Sequence, residues 1–355
     1  FAPANLSFAE IIYVLAIAPL LSPSNQIKGL AISVIFGGLG HFIMQYPTFK
    51  QLGWKLRFNF NFNHPGVKKI ALLMIPSVIG ISVDQINSFV DTICASFLGD
   101  GSITALYYSN RLMQLPLAIF GLAMATVSLP LMSKAVAQNN IDEMKQTLNF
   151  SIRFSIIALL PATVGLMVIG MPVVQVLFER GKFDRFATII TNQALFYYVL
   201  GLPAYAISKV LANTFFSFQD TKTPVKIAFV VMFMHVLLCV ALMRVLGVGG
   251  LALATAVCSY INVIMLAHKL RLRIGRMGIK TIMVSTAKGL AASAVMGLIS
   301  YEIIQLNFAP LFISLIISIL AGIVSFIVVA KLLKSPETEQ LQNSLYKKNN
   351  AKNCQ

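Results

Sequence analysis

The feature that most limits what this chain can become is a succession of apolar runs, most of them about 20 residues or longer, that recurs from residue 8 to residue 333. A run of that length spans the ~30 Å hydrocarbon core of a bilayer as a helix. Hydrophobic residues make up 57% of the chain and charged residues 11%, well below the quarter typical of soluble domains. The pattern specifies an all-α polytopic membrane protein, because in lipid every backbone polar group has to be satisfied within the spanning segment.

Counting runs gives about ten spans. The first two lie near 8–22 and 27–46, joined by Ser22-Pro23-Ser24-Asn25. A basic loop follows, running through Trp54 and the alternating Phe58 to Asn63 and ending at Pro65-Gly66. Residues 68–98 and 102–133 then read as a hairpin around Gly99-Asp100-Gly101, with arms of ~45 Å at 1.5 Å per residue. Further spans fall near 148–177, 187–216, 225–245, 249–270, 281–304 and 310–333. The chain opens at Phe1 without an initiator Met or a signal-peptide pattern, so more sequence is expected upstream.

A formal charge of +16 raises the question of a nucleic-acid partner, and the positions of the charges answer it. Lys50, Lys55, Arg57, Lys68 and Lys69 occupy one loop, and Lys269, Arg271, Arg273, Arg276 and Lys280 another. Lys134 and Lys145, Lys222 and Lys226, and the tail lysines fall on the same side once spans are counted. This is the positive-inside pattern of a cytoplasmic face, with no nucleic acid implied and the C-terminus inside. The four cysteines and four histidines are scattered along the chain, so no disulfide framework, zinc site or cofactor is expected from their spacing.

Against this apolar background the stretch Tyr107 to Pro116 stands out, because it carries Tyr107, Asn110, Arg111 and Gln114 within one span. An arginine near a helix centre costs roughly 2.5–3.5 kcal/mol on insertion scales, so it marks a functional site with a partner to be found. In an antiparallel hairpin, Asp91 and Arg111 lie at matching depth, ~12–15 Å below the turn, as candidates for one ion pair. Asp84 shares a helical face with Asn87 or Ser88 and with Asp91, and is the candidate for coupling to a proton or cation. Pro116 removes a backbone donor beneath the arginine, and Gly121 allows a bend or close helix approach. Two readings of the polar stripe remain open here: a cavity that binds substrate, or a structural pair that fixes the hairpin. Arg153, Lys209 and Lys288 are expected to snorkel to the interface, and Glu179 to Arg185 either to pair among themselves or to meet an anionic headgroup.

The run ALYYSNRLMQLPLAIFGLAMATVSLPLMSK at 105–134 resembles the signature of the MurJ (MviN) lipid II flippases, within the multidrug/oligosaccharidyl-lipid/polysaccharide exporter superfamily. QINSFVDTICASFLGDGSITALYY before it, LFERGKF at 177–183 and SFQDTKTPVK at 217–226 extend the resemblance along essentially the whole chain. It implies a fourteen-helix, MATE-like two-lobe transporter of which this chain holds spans five to fourteen. Residues 1–50 would end the first lobe, 51–67 form the basic cytoplasmic inter-lobe loop, and 68–271 form the second six-helix lobe. Residues 281–333 would form a groove for the lipid tail, and 334–355 a polar cytoplasmic tail.

The resemblance also implies a function. It would be the flipping of lipid II, an undecaprenyl-linked peptidoglycan precursor, from the inner to the outer leaflet of the bacterial cytoplasmic membrane, with membrane lipids as its surroundings. The alternative is a related exporter of drugs or other polyprenyl-linked saccharides. The cavity arginine of the family matches Arg111, while Gln114 stands where some members carry an acid. No bond is broken in such a cycle, and no loop gathers the Asp, Glu or His set an enzyme at a membrane surface would need.

Overall fold

The structure, a computed structural model, describes residues 4–51, 65, 82–83, 85–275, 277–306 and 309–333. Every regular element among them is helical. The chain divides into two compact units, Phe1–Ala71 and Leu72–Gln355.

In the first unit, α1 (Ala4–Ile12) runs through a π-helical turn at Tyr13–Ile17 and a 3-10 turn at Ala18–Leu20 before α2 (Pro23–Gln51). Pro19 lacks the N–H that an α-helix would need there, and the chain tightens instead of continuing. Gln26 holds the corner by donating its Nε2 to the carbonyls of Ala18 at 3.0 Å and Leu21 at 3.2 Å. Tyr13 lies over Gly29, where any β-carbon would fall 2.2 Å from the phenol oxygen. The expected first span is therefore a broken helix.

The second unit opens with α3, whose helical run covers 85–96, and turns through Gly99 and Gly101, both at positive φ. Next come α4 (Ser102–Pro116), a π-helical segment (Leu117–Leu122) and α5 (Ala123–Ala137). Where a kink is expected below Arg111, the helix runs on to Ala137 and carries a π-helical segment instead, because Pro116 cannot donate to the carbonyl of Leu112 and the hydrogen-bond register widens over the following turn. Gly121 lies in the widened turn, and a β-carbon there would meet Leu117 at 2.9 Å and Ala206 at 3.0 Å.

α6 (Ile141–Phe178) starts at Asn140, whose side chain accepts from the Glu143 N–H, and rises through the whole unit. α7 (Arg185–Leu200) starts at Asp184, which caps the Ala187 N–H at 2.8 Å. α8 (Leu202–Ser217) follows at a 43° bend, so the span expected at 187–216 is two helices broken at Gly201, with Pro203 at the start of the second. The remaining helices are α9 (Lys222–Leu246), α10 (Val248–Ile274), α11 (Ile279–Gln305) and α12 (Leu311–Leu332).

Among the described residues seven helices are long and apolar enough to cross a membrane, or eight when α7 and α8 count as one span. Of the ten expected spans, the first is the shorter apolar stretch Leu6–Leu20, and residues 68–81 of the arm at 68–98 lie outside the described residues. Asp84, Trp54, the Phe58–Asn63 alternation, Arg276 and the tail at 334–355 also lie outside them.

Two packed layers of side chains hold the second unit together. Toward the Gly99 end, Ala95, Leu106, Tyr198 and Leu251 meet; toward the basic end, Met132, Met144, Phe215 and Leu270 do. Outward-facing positions such as Phe233, Leu237, Ile264, Leu320 and Val324 remain exposed large hydrophobics, the surface a helix presents to lipid. α11 and α12 pack on each other and on α6. Ser300 and Ser318 exchange hydroxyl-to-carbonyl bonds at 3.4 and 3.0 Å across that pair.

Candidate functional site: a polar cavity in the second unit

α3, α4, α8, α9 and α10 surround a cavity of about 560 Å³ that opens among otherwise apolar helices. α4 supplies one wall through its i, i+4 spacing: Tyr107, Asn110, Arg111 and Gln114 all line the cavity, while Ser109 turns into the packing and donates back to the Ala105 carbonyl at 2.7 Å. Two bonds sew the polar groups together along this helix. Arg111 donates from Nε and Nη2 to the Tyr107 phenol oxygen at 3.3 and 3.1 Å, and Gln114 donates its Nε2 to Asn110 Oδ1. The guanidinium carbon also lies 5.2 Å from the Tyr107 ring centroid. A guanidinium has five N–H groups in a rigid fork, so Arg111, bonded to Tyr107 through Nε and Nη2, keeps further donors for a ligand.

Another face of α4 is anchored by Tyr108, whose ring lies 4.5 Å from that of Phe178 and 5.7 Å from that of Phe183. The loop carrying those rings is paired within itself: Glu179 accepts from Arg185 at 3.4 Å and from Thr188 at 2.8 Å. Of the two readings of this loop, the self-paired turn is the one observed.

The expected ion pair between Asp91 and Arg111 does not form. Asp91 Oδ1 lies 3.4 Å from His235 Nε2 and accepts from Cys239 Sγ at 3.4 Å, and no ion pair links it to Arg111 among the described residues. Depth along a hairpin leaves the rotation of each helix open, and α3 turns Asp91 toward α9. The His235 Nε2 is also 3.2 Å from Thr255 Oγ1, which in turn donates to the Leu251 carbonyl at 3.1 Å. With its proton on Nε2 the imidazole donates to the carboxylate, so a buried acid is satisfied by neutral donors.

Asp91, His235 and Cys239 hold their donor atoms within 4.8 Å of one another. The sequence-based exclusion of a metal-ligand cluster relied on their scatter, and folding removes that scatter. The i, i+4 spacing of His235 and Cys239 on one apolar helix was the signal available for finding them.

Asn87 Oδ1 and Tyr205 Oη, both on the cavity wall, are buried without a hydrogen-bond partner among the described residues, which leaves them for water or a ligand. Ser88 lines the same wall. Lys209, exposed on α8, lines the cavity with Ser208, Ser259 and Asn262. Arg153 donates its Nε to Ser285 Oγ at 3.1 Å, between α6 and α11.

At the basic end, Asp220 in the α8–α9 turn accepts from the Thr223 N–H at 3.0 Å and hydroxyl at 2.8 Å, and from Arg273 at 3.2 Å. Partial burial pushes its carboxyl up, but the Thr223 bonds and the Arg273 charge outweigh that and hold it below the ordinary carboxylate value. Arg273 also stacks 4.4 Å from the Phe218 ring centroid.

The family model described as lipid II flippase MurJ matches residues 1–331. A probable lipid II flippase MurJ from Vibrio cholerae is 38% identical over 273 residues, which is 77% of this chain and 52% of that protein. A lipid II flippase MurJ from Burkholderia cenocepacia is 33% identical over 277 residues, 77% of this chain and 53% of that protein. The chain thus spans about half the length of these curated relatives. A solved structure of lipid II flippase MurJ in an inward closed conformation superposes with a TM-score of 0.75 at 26% identity, over 93% of this chain and 66% of that one. A MOP superfamily transporter from Pyrococcus furiosus shares the fold at a TM-score of 0.50 and 17% identity.

Proposed function

From the premise that this chain belongs to the lipid II flippase MurJ family, a family of membrane transporters, we propose that it contributes one cavity wall and the lipid-facing helices of a lipid II flippase. The cargo carries a diphosphate between its sugar headgroup and its polyprenyl tail. The observation that carries the reading is Arg111, an exposed guanidinium on the cavity wall whose bonds go to a neutral phenol and not to a carboxylate. Its positive charge is therefore available to a ligand, and guanidinium N–H groups bind phosphate oxygens bidentately. Asn110, Gln114 and Tyr107 offer neutral contacts beside it.

In this reading residues 1–50 end the first lobe and 51–67 link it to the second, at 68–271. Residues 281–333 hold the lipid tail, and the tail at 334–355 is cytoplasmic. Transport proceeds by alternating access, with the π-helical segment after Pro116, which contains Gly121, as a flexing point and the membrane potential or a coupled cation or proton as driving force. Asp84 is the assigned coupling acid. The cytoplasmic membrane is the site of action, by the distribution of basic loops.

The test measures lipid II exposed at the outer face of cells in which the full-length carrier bears Arg111→Ala, with membrane levels matched to wild type. Exposure falls if Arg111 binds the headgroup. Unchanged exposure rejects that role and favours an exporter of drugs or other polyprenyl-linked saccharides.

A further inference from the structure

Lys209 is the second cation of the cavity, and its position along the bundle differs from that of Arg111. Two contacts set the register. Gly121 abuts Ala206, and Asn213 donates its Nδ2 to the Ala125 carbonyl at 2.7 Å. Both residue numbers rise together, so the helix from α4 into α5 and the helix α8 run in the same direction, away from the Gly99 end. Lys209 then lies level with about residue 123, roughly 18 Å nearer the basic end than Arg111 at 1.5 Å per residue. Arg111 is about 15 Å below the Gly101 turn, and Lys209 about 12 Å above the end of α8 at Ser217, by the same rise. The two cations on the cavity wall thus stand at similar depths from opposite ends of the helices that carry them.

Ser208, Ser259 and Asn262 line the same cavity as Lys209, and Ser208 spends its hydroxyl proton on the Tyr205 carbonyl at 2.9 Å. Asp91 is the one carboxylate on the cavity wall among the described residues, and it is bonded to His235 and Cys239 toward the Gly99 end. Lys209 forms no ion pair among the described residues. An exposed lysine that lines a cavity whose single carboxylate among the described residues is bonded elsewhere is matched electrostatically by an anion that enters from outside the protein.

We propose that Lys209 is a second anion station, which receives the cargo's diphosphate at the inner, basic end of the cavity before Arg111 holds it at the outer end. The assignment rests on the flippase reading and adds to it an order of contacts. A single diphosphate is short beside the spacing of the two levels, so the stations act in sequence. A compact, flexible ammonium suits a loading site that must release, while the forked guanidinium suits tighter oriented binding.

The experiment uses the full-length carrier in proteoliposomes, with a fluorescent polyprenyl diphosphate saccharide supplied from one leaflet at a time. Lys209→Gln is expected to raise the KM for cargo loaded at the inner face by about tenfold or more, the loss expected of one charge-assisted hydrogen bond, and to leave the KM from the outer face unchanged. Arg111→Ala is expected to do the reverse. Lys209→Cys, treated with the cationic aminoethyl methanethiosulfonate, regains inner-face loading, whereas the neutral methyl reagent does not restore it. Equal effects on both faces, rescue by the neutral reagent, or no effect of Lys209→Gln while Arg111→Ala is impaired would overturn the inner station and leave the flippase reading standing. A wild-type carrier that moves no cargo overturns the flippase reading and the station with it.

Discussion

His235 Nε2 lies 3.4 Å from Asp91 Oδ1, with the imidazole 2% exposed and the carboxylate 15% exposed. This contact joins α3 to α9 through two polar groups that neither helix could bury alone. It also frees Arg111, because the acid nearest in depth is satisfied elsewhere.

Replacing His235 by Ala leaves the Asp91 carboxylate with the Cys239 thiol and the Thr255 hydroxyl. The loss of a partner for a buried acceptor costs about 1–3 kcal/mol, so the Tm of the purified protein in detergent is expected to fall measurably. Asp91→Asn in the same background should recover part of that loss, since an amide needs no charged or charge-like donor. A Tm for His235→Ala equal to wild type would show that the contact contributes nothing.

Tyr107→Phe removes the oxygen that accepts from both Arg111 Nε and Nη2 and keeps the ring beneath the guanidinium. The charge remains while its aim is lost. Cargo affinity is therefore expected to drop by about tenfold or less, a smaller loss than for Arg111→Ala, and Arg111→Lys should fall between the two because it cannot chelate with a fork. Titration of a short-chain polyprenyl diphosphate against the three variants ranks them, and a Tyr107→Phe loss larger than that of Arg111→Ala would contradict this order.

Gly121→Val puts branched carbons where a β-carbon already approaches Leu117 at 2.9 Å and Ala206 at 3.0 Å. Overpacking of this kind typically costs 1–3 kcal/mol, and here it would also pry the π-helical segment from α8. Thermal denaturation should show the loss. Gly38→Val, at a position with open space around it, serves as the control and should be near neutral.

The depressed carboxyl of Asp220 links stability to pH. A carboxyl held below its unfolded value stabilises the fold fully above that unfolded value, and the contribution disappears as pH falls through the folded one. Because Asp220 and Arg273 are 25% and 43% exposed, solvent screening limits the effect to about 1 kcal/mol or less. Asp220→Asn is expected to lower the Tm slightly at neutral pH, by that contribution, and to flatten the acid limb of a Tm-against-pH curve below about pH 4, where wild type loses it too. An unchanged acid limb would remove Asp220 from the pH response.

The all-helical membrane class and the placing of a costly cation at Arg111 followed from local composition alone. Apolar run length reports how a segment meets lipid, and basic residues report which loops stay inside, and neither needs a partner to be known. Pro116 and Gly121 were legible for a similar reason, since a missing N–H and a missing side chain act within one turn. Rotation of helices against each other was not legible. Residue spacing places Asp91 and Arg111 at one depth, but only packing turned Asp91 toward His235 and Cys239, which lie over 140 residues along the chain from it. The bend at Gly201 and the place of Lys209 on the cavity wall have the same origin. Each depends on which neighbouring helix fills the adjacent space, and that is settled when α8 packs against α5 and α10 in the folded bundle.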